Sequence, residues 1–283
     1  MGGRYNSKQI LDRNWWSGLV GGRYNSKRYG ALLAGVAGLA VLVALVEVIP
    51  RAGLVSESYL PPSSRILAAL GDEAAGGAFW RAVGDTLIGW ASGLLIAVVA
   101  GVALGILIGA IPLLRAATAS TVEFLRPIPS VALIPLAVLL YGTELGSTLL
   151  LVVYASFWQV LIQVLYGVAD VDPVADETAR SFRFTPWARI RYVLWPTALP
   201  YVFTGIRLAA SVALVLAVTT ELVIGSPGLG SLIGVAQSSN AVPTMYALIV
   251  VTGLLGVAIN LAARTVERRA LAWHQSVRGE APA

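Results

Sequence analysis

The stretch from Thr86 to Leu114 reads TLIGWASGLLIAVVAGVALGILIGAIPLL, 29 residues without one charged side chain. A helix needs about 20 apolar residues to cross the roughly 30 Å of hydrocarbon in a bilayer. Further uncharged runs lie at 29–46, 127–143, 145–169, 192–206, 208–220 and 222–263. This pattern predicts an all-α, polytopic membrane protein.

The composition of the whole chain agrees with this prediction. Of its 283 residues, 57% are hydrophobic and 12% are charged, about half of the ~25% charged residues that soluble domains carry. Disordered, collagen-like and disulfide-rich classes are therefore excluded. The chain has no cysteine and a single histidine, His274. Thiolate and multi-histidine metal sites, as well as histidine-based catalytic triads, are excluded, and we expect no enzyme activity.

The uncharged runs resolve into six predicted spans. The 42-residue run at 222–263 is interrupted by Gly225–Gly230 and by Gln237–Asn240, which favour turns and water. The third span carries Pro127, Pro129 and Pro135, so we expect it to be kinked. The predicted spans are 30–49, 84–111, 114–141, 145–168, 198–224 and 242–264.

Basic residues set the predicted orientation. They cluster in an N-terminal arm, residues 1–29, in a loop at 170–197 and in a C-terminal tail, residues 266–283. The positive-inside rule places all three in the cytoplasm, and the loop 50–83 outside. The permease domain between arm and tail covers 30–265. The net charge of +5 is explained by anionic lipid head groups and requires no nucleic acid.

The loop 170–197 is the most informative cytoplasmic segment. Asp172 followed by Pro173, and Thr185 followed by Pro186, predict the capped starts of two short helices. The spacing allows an ion pair between Asp176 and Arg180. One interpretation is a solvated helical connector. The other is a docking element for a cytoplasmic partner, with an apolar side formed by Ala175, Ala179, Phe182 and Phe184.

Several motifs together resemble one family. Glu177-Thr178-Ala179, followed later by Leu194-Trp195-Pro196, is similar to the EAA loop of ABC-importer permease subunits. Further segments resemble motifs of the nitrate/sulfonate/taurine-type branch of the binding-protein-dependent transport inner-membrane component family. These segments are Leu125–Leu136, Tyr141-Gly142, Ala198–Leu208, Gly228-Leu-Gly230 and the tail from Val266. The resemblance covers about residues 59–274.

The resemblance implies a type I ABC importer permease fold in a bacterial plasma (inner) membrane. It implies a second permease subunit in a homodimer, two cytoplasmic ATP-binding subunits and an external substrate-binding protein. ATP would be bound by the partner, since this chain has no Gly-x-x-x-x-Gly-Lys-Ser/Thr motif. The implied ATPase-docking residues are Asp176, Glu177, Thr178, Ala179, Arg180, Phe182, Arg183 and Phe184.

Arg183 departs from the family pattern, because that position usually holds a glycine. A glycine would allow the turn between the two short helices. The bend of this loop is therefore left open by the sequence.

Polar residues inside the predicted spans are candidates for a translocation path. Glu221 either gates the path or makes a structural bond to a neighbouring helix or to Ser226. Glu123 and Arg126 either form an internal ion pair, or Arg126 faces a cavity and attracts an anion. Each candidate can equally serve helix packing. The candidates are Arg126, Ser130, Tyr154, Trp158, Gln159, Gln163, Thr220 and Glu221.

A ridge of small residues, Gly101, Gly105 and Gly109, predicts close helix packing by the second span. The alternative functions are a secondary transporter or a channel not driven by ATP, and a membrane-embedded enzyme. No mirrored second half, filter-like loop or clustered catalytic set supports these alternatives. The sequence leaves sulfonates, nitrate and small heterocycles open as substrates.

Overall fold

The computed structural model describes residues 16–272 and the side chains of residues 33–272. Within that range every regular element is a helix. Residues 1–15 of the predicted arm and 273–283 of the tail lie outside the described part. The α-helices are α1 Trp16–Arg51, α2 Ser63–Ala75, α3 Gly77–Ala110, α4 Pro112–Leu125, α5 Ile134–Tyr141, α6 Leu145–Ala169, α7 Pro173–Ser181, α8 Pro186–Arg189, α9 Trp195–Ile224, α10 Leu229–Ser238 and α11 Val242–Ala270. A 3₁₀ turn at Ser130–Leu133 precedes α5, and a π-helical turn at Ile190–Leu194 precedes α9.

Five helical segments are long and apolar enough to cross a membrane, and a bent pair brings the number to six if it counts as one span. The bent pair is α4 with the segment Ser130–Tyr141, at an angle of 82°. It occupies the predicted third span. The break follows from Pro127 and Pro129, which lack the N–H groups that would continue the helical ladder. A break this sharp exceeds the predicted kink.

Among the described residues, 16–67 form one of two compact units. Its helix α1 begins at Trp16, well before the predicted start of the first span at residue 30. The Glu47 carboxylate accepts hydrogen bonds from the Ser64 backbone N–H at 2.9 Å and from the Ser63 hydroxyl at 2.8 Å. Glu47 thereby caps the first turn of α2, where free N–H groups need acceptors.

The described residues 68–272 form the second unit, in which α6 packs against both α3 and α9. Glycines of α3 meet valines of α6 one turn after another. A Cβ at Gly105 would lie 2.7 Å from the Val164 side chain, and one at Gly101 would lie 2.9 Å from that of Val160. The predicted packing ridge is confirmed, because only glycine permits this approach.

α6 also packs on α9. A Cβ at Gly167 would lie 2.8 Å from the Cα of Ala198, so these two helices also approach closely. Val160, Val164, Ala198 and Val202 belong to one buried apolar cluster between them. The result is a helical core in which the segment 170–194 connects α6 to α9.

Candidate functional site

Both predicted helix caps in the loop 170–197 are confirmed. The Asp172 side chain accepts from the Val174 backbone N–H at 2.9 Å, and Pro173 occupies the first position of α7. The Thr185 hydroxyl accepts from the Ala188 backbone N–H at 3.2 Å at the start of α8. Each cap satisfies an N–H that the first helical turn leaves free.

Arg183 forms the turn that ends α7. Its φ angle is +56°, in the left-handed region. The Arg183 N–H donates to the carbonyl of Arg180 at 2.9 Å, and the Phe184 N–H donates to that of Ala179 at 2.9 Å. This pair of bonds is the Schellman arrangement that normally places glycine at the left-handed position. The turn therefore forms with an arginine in that position.

Asp176 holds the two short helices together. Its carboxylate lies 2.9 Å from Arg180 of α7 and 2.5 Å from Arg189 of α8. Partial burial raises the pKa of Asp176, but the hydrogen bonds and charges of Arg189 and Arg180 outweigh it and hold the pKa below its usual value. The predicted Asp176–Arg180 pair is confirmed. The Arg189 pair was not predicted, because it depends on the turn at Arg183.

The loop exposes a group of aromatic side chains, which we call the aromatic surface: Phe182, Phe184, Trp187 and Tyr192. Phe182 is 76% exposed and Trp187 is 72% exposed. The rings of Phe184 and Tyr192 meet edge to face at 6.4 Å between centroids. Glu177 of α7 is also exposed, whereas Ala179 is buried. The sequence identified the two phenylalanines but not Trp187 and Tyr192, because their exposure depends on how the rest of the loop folds.

Glu221 lies in a second polar site, buried at 1% exposure near the end of α9. One carboxylate oxygen accepts from the Thr86 hydroxyl at 2.8 Å and from the Gly230 backbone N–H at 2.9 Å. The Thr86 oxygen in turn accepts from the Leu229 N–H at 2.9 Å. Glu221 and Thr86 therefore cap the start of α10 and join α3, α9 and α10.

The glycines at the start of α10 are explained by this cap. Gly228 has a φ angle of +151°, and a Cβ there would overlap the Glu221 carboxylate. A Cβ at Gly230 would lie 2.6 Å from the Leu222 backbone nitrogen. Thr220 is also fully buried, and its hydroxyl donates to the Leu216 carbonyl at 2.7 Å. In this conformation, Thr220 and Glu221 face protein.

Two further candidates, Tyr154 and Trp158, lie on α6 beside the bent pair. The Tyr154 hydroxyl donates to the Leu125 carbonyl at 2.7 Å. Tyr154 and Trp158 line a cavity of about 840 Å³, and the Trp158 ring N–H is buried without a hydrogen-bond partner in the described part of the chain. The structure thus brings these two aromatic candidates together.

Arg126 lines a neighbouring cavity of about 550 Å³ with Glu123 and Arg115. The expected Glu123–Arg126 ion pair is wrong, because neither residue occurs among the ion pairs formed by residues 33–272. Arg126 keeps helical backbone angles and its N–H donates to the Val122 carbonyl at 3.0 Å, so the backbone spacing permits the pair, but the two side chains are exposed and do not meet. Arg126 is left facing a cavity.

The last three candidates, Gln159, Gln163 and Ser130, do not line either of these two cavities. Gln163 packs at the crossing of α6 and α9, where a Cβ at Gly205 would lie 3.1 Å from the Gln163 Cβ. Gln159 lies one turn earlier at the same crossing and is half-buried. Ser130 begins the 3₁₀ turn of the bent pair. Within residues 16–272 no cluster of three or more His, Cys, Asp or Glu side chains could hold a metal ion.

Known proteins resemble this chain over most of its length. The family "Binding-protein-dependent transport system inner membrane component" matches residues 79–271. The chain is 30% identical over 244 residues to the taurine transport system permease protein TauC of Escherichia coli (strain K12), which covers 84% of this chain and 89% of that protein. It is 30% identical over 253 residues to the putative aliphatic sulfonates transport permease protein SsuC of Bacillus subtilis (strain 168). That match covers 89% of this chain and 91% of SsuC.

A nitrate import permease protein, NrtB of Leptolyngbya laminosa, is 28% identical over 184 residues, which is 65% of this chain and 66% of that protein. Among solved structures, an inward-facing form of the MetNI methionine ABC transporter superposes with a TM-score of 0.59 at 21% identity. The match covers 68% of this chain and 95% of that chain, and it shows a shared fold.

Proposed function

Because this chain belongs to the binding-protein-dependent transport system inner membrane component family, we propose that it is the permease subunit of an ABC importer, coupled to a cytoplasmic ATPase through the loop 170–197. In this proposal two copies form one translocation path, two ATP-binding subunits dock on their loops, and an external binding protein delivers the solute. Both termini lie in the cytoplasm.

The aromatic surface is the observation that supports coupling most directly. A connector loop gains nothing from exposing four aromatic side chains to water, whereas buried aromatic anchors dominate many protein interfaces. The loop is also rigid, since Asp176 ties α7 to α8. A rigid element can transmit movement of an attached ATPase to α6 and α9, between which it lies. Glu177, exposed on α7, offers a carboxylate to a basic residue of that partner.

The solute we propose is a small organic or inorganic anion. Taurine, aliphatic sulfonates and nitrate are the solutes in the names of the relatives. Arg126, which has no ion-pair partner among residues 33–272, supplies positive charge at the wall of an open cavity. We assign Ser130, Tyr154, Trp158, Gln159 and Gln163 to the same path as hydrogen-bonding or stacking groups.

ATP-driven uptake tests this function. Proteoliposomes that contain the permease, its ATP-binding subunits and its binding protein should accumulate the anion only when ATP is hydrolysed. Uptake without ATP, driven by an ion gradient, would instead identify a secondary transporter or channel.

The same assay tests the coupling loop through Glu177→Arg. Truncating one partner of a buried, hydrogen-bonded charge pair costs about 2–5 kcal/mol. If Glu177 is buried against a basic residue of the partner, Glu177→Arg should reduce ATPase association and coupled uptake while membrane insertion is unchanged. Glu144→Arg is the matched control for association, because Glu144 is an exposed acid at the opposite end of α6. Asp170 is unsuitable as a control, since it accepts a hydrogen bond from the Tyr201 hydroxyl at 2.9 Å.

A further inference from the structure

The elements that follow the turn at Arg183 form one unbroken helical segment. It runs from Pro186 to Ile224 and contains α8, the π-helical turn and α9, and we call it the rod. Its 39 residues are about 58 Å long at 1.5 Å per residue. The first turns of the rod belong to the loop 170–197, and its last turn carries Glu221, which caps α10. A displacement of the first turns is therefore transmitted along the helix to its far end.

α7 lies beside the start of the rod but buries little of its own surface. It packs against the π-helical turn, and Ala179 is its one buried residue. Asp176 is half-buried, and the other residues of α7 are exposed. Because so little apolar surface is buried, the orientation of α7 on the rod depends on side-chain bonds.

The first of these bonds is the ion pair from Asp176 of α7 to Arg189 of the rod. One carboxylate oxygen accepts from Arg189 Nε at 2.9 Å and from Arg189 Nη2 at 2.5 Å, and the other accepts from Arg180 Nε at 3.1 Å. The side chains of Asp176 and Arg189 are 20% and 27% exposed, so solvent screens this pair less than a surface pair. Both carboxylate oxygens are thus engaged within the loop.

The second bond fastens the chain just before α7. Asp170 directly follows α6, and its carboxylate accepts a hydrogen bond from the Tyr201 hydroxyl of the rod at 2.9 Å. Tyr201 lies about 18 Å beyond Arg189 along the rod. The base of its side chain is closely packed, since a Cβ at Gly167 would lie 2.9 Å from the Tyr201 Cβ. Two acidic residues therefore tie the α7 segment to the rod at two separate heights.

We propose that Asp176 and Tyr201 are positioning residues that fasten α7 to the rod, so that an ATP-binding subunit docked on the aromatic surface moves α9. This inference rests on the proposed function and assigns how its loop transmits movement. It also divides the residues implied in docking into two groups. Glu177 and Phe182 are exposed and available to a partner, whereas Asp176 uses both carboxylate oxygens inside the loop.

Cysteine reactivity at the far end of the rod tests this assignment, because the chain has no native cysteine. Val223→Cys places a thiol there, at a position that is 58% exposed. The full-length chain, assembled with its ATP-binding subunits and binding protein in nanodiscs, is labelled with N-ethylmaleimide in the presence and absence of ATP. ATP should change the labelling rate at position 223. Leu54→Cys, in the predicted external loop, is the control and should label at one rate.

Two substitutions in the Val223→Cys chain each remove one bond. Tyr201→Phe keeps the packed ring and removes the hydroxyl, and Asp176→Asn keeps the size of the side chain and removes its charge. Each should reduce the ATP-dependent change in labelling rate about threefold to tenfold, the shift in an equilibrium when one hydrogen bond is lost. Tyr201→Phe should leave the association of the ATP-binding subunit unchanged, because Tyr201 lies outside the aromatic surface.

Further variants separate positioning from a general loss of structure. Asp176→Glu keeps the charge and should restore most of the ATP response. Asp176→Asn combined with Arg189→Gln should respond like Asp176→Asn alone, because both changes remove the same pair. Tyr166→Phe, at an exposed tyrosine of α6, is the matched control for Tyr201→Phe and should respond like the unsubstituted chain.

A full ATP response in both Tyr201→Phe and Asp176→Asn would overturn the proposal. A parallel loss of association in Asp176→Asn would also overturn it, because Asp176 would then be a docking residue. If the ATP-binding subunit binds but ATP leaves labelling at position 223 unchanged, the rod does not carry the movement and this inference alone fails. If that subunit does not bind the unsubstituted chain, the proposed function itself fails.

Discussion

Arg183 occupies a backbone conformation that glycine adopts at lower cost. The left-handed region costs an L-residue about 1–2 kcal/mol. A glycine avoids this cost but lowers the free energy of unfolding by about 0.4–1 kcal/mol, because it gives the unfolded chain more conformational freedom. Arg183→Gly should therefore be neutral or slightly stabilising, and Arg183→Asn should behave alike. Arg183→Val should weaken ATPase association, because a β-branched residue resists this φ angle.

Pull-down of the ATPase and assays of coupled uptake with Arg183→Gly, Arg183→Asn and Arg183→Val test this expectation. If glycine and asparagine impair coupling as much as valine does, while Arg183→Lys does not, the side chain contacts the partner through its charge. In that case the role of Arg183 is not confined to the turn.

At the level of elements, α10 depends on its cap from Glu221. Glu221→Ala leaves the buried Gly230 N–H without an acceptor, at a cost of about 1–3 kcal/mol. We expect a lower melting temperature of the purified complex, and a smaller decrease for Glu221→Gln, which keeps an acceptor oxygen. The exposed Glu144→Ala should leave the melting temperature unchanged. Wild-type stability of Glu221→Ala with loss of transport would place Glu221 in the path instead.

The elements that sequence could predict are those specified by local signals. Uncharged runs, the caps at Asp172 and Thr185 and the glycine ridge on α3 depend on spacing within one segment. Glu221 and Gly230 meet across a turn, and Asp176 meets Arg189 only after Arg183 reverses the chain. Such contacts depend on tertiary packing, which the spacing of residues within one segment does not predict. The 82° bend was underestimated, because prolines reveal that a helix breaks but not by how much.

At the scale of the whole molecule, the distribution of basic residues predicts that both termini are cytoplasmic. Single cysteines at Ser58 and Ser238 should react with an impermeant maleimide from outside the cell. Cysteines at Ser7 and Ser276, which lie outside the described residues, should react only after permeabilisation. External labelling at Ser276 would contradict this topology and would place the loop 170–197 on the wrong side for an ATPase.

Docking of the aromatic surface on the ATP-binding subunit can be detected by site-specific photocrosslinking. A benzophenone side chain replaces Phe182 in one variant and Leu54 in another, two positions that are each 76% exposed. Illumination of the intact complex should link position 182 to the ATP-binding subunit and leave position 54, in the predicted external loop, unlinked to it. No crosslink from position 182 to that subunit, in complexes that still hydrolyse ATP and transport, would show that the loop is only a connector.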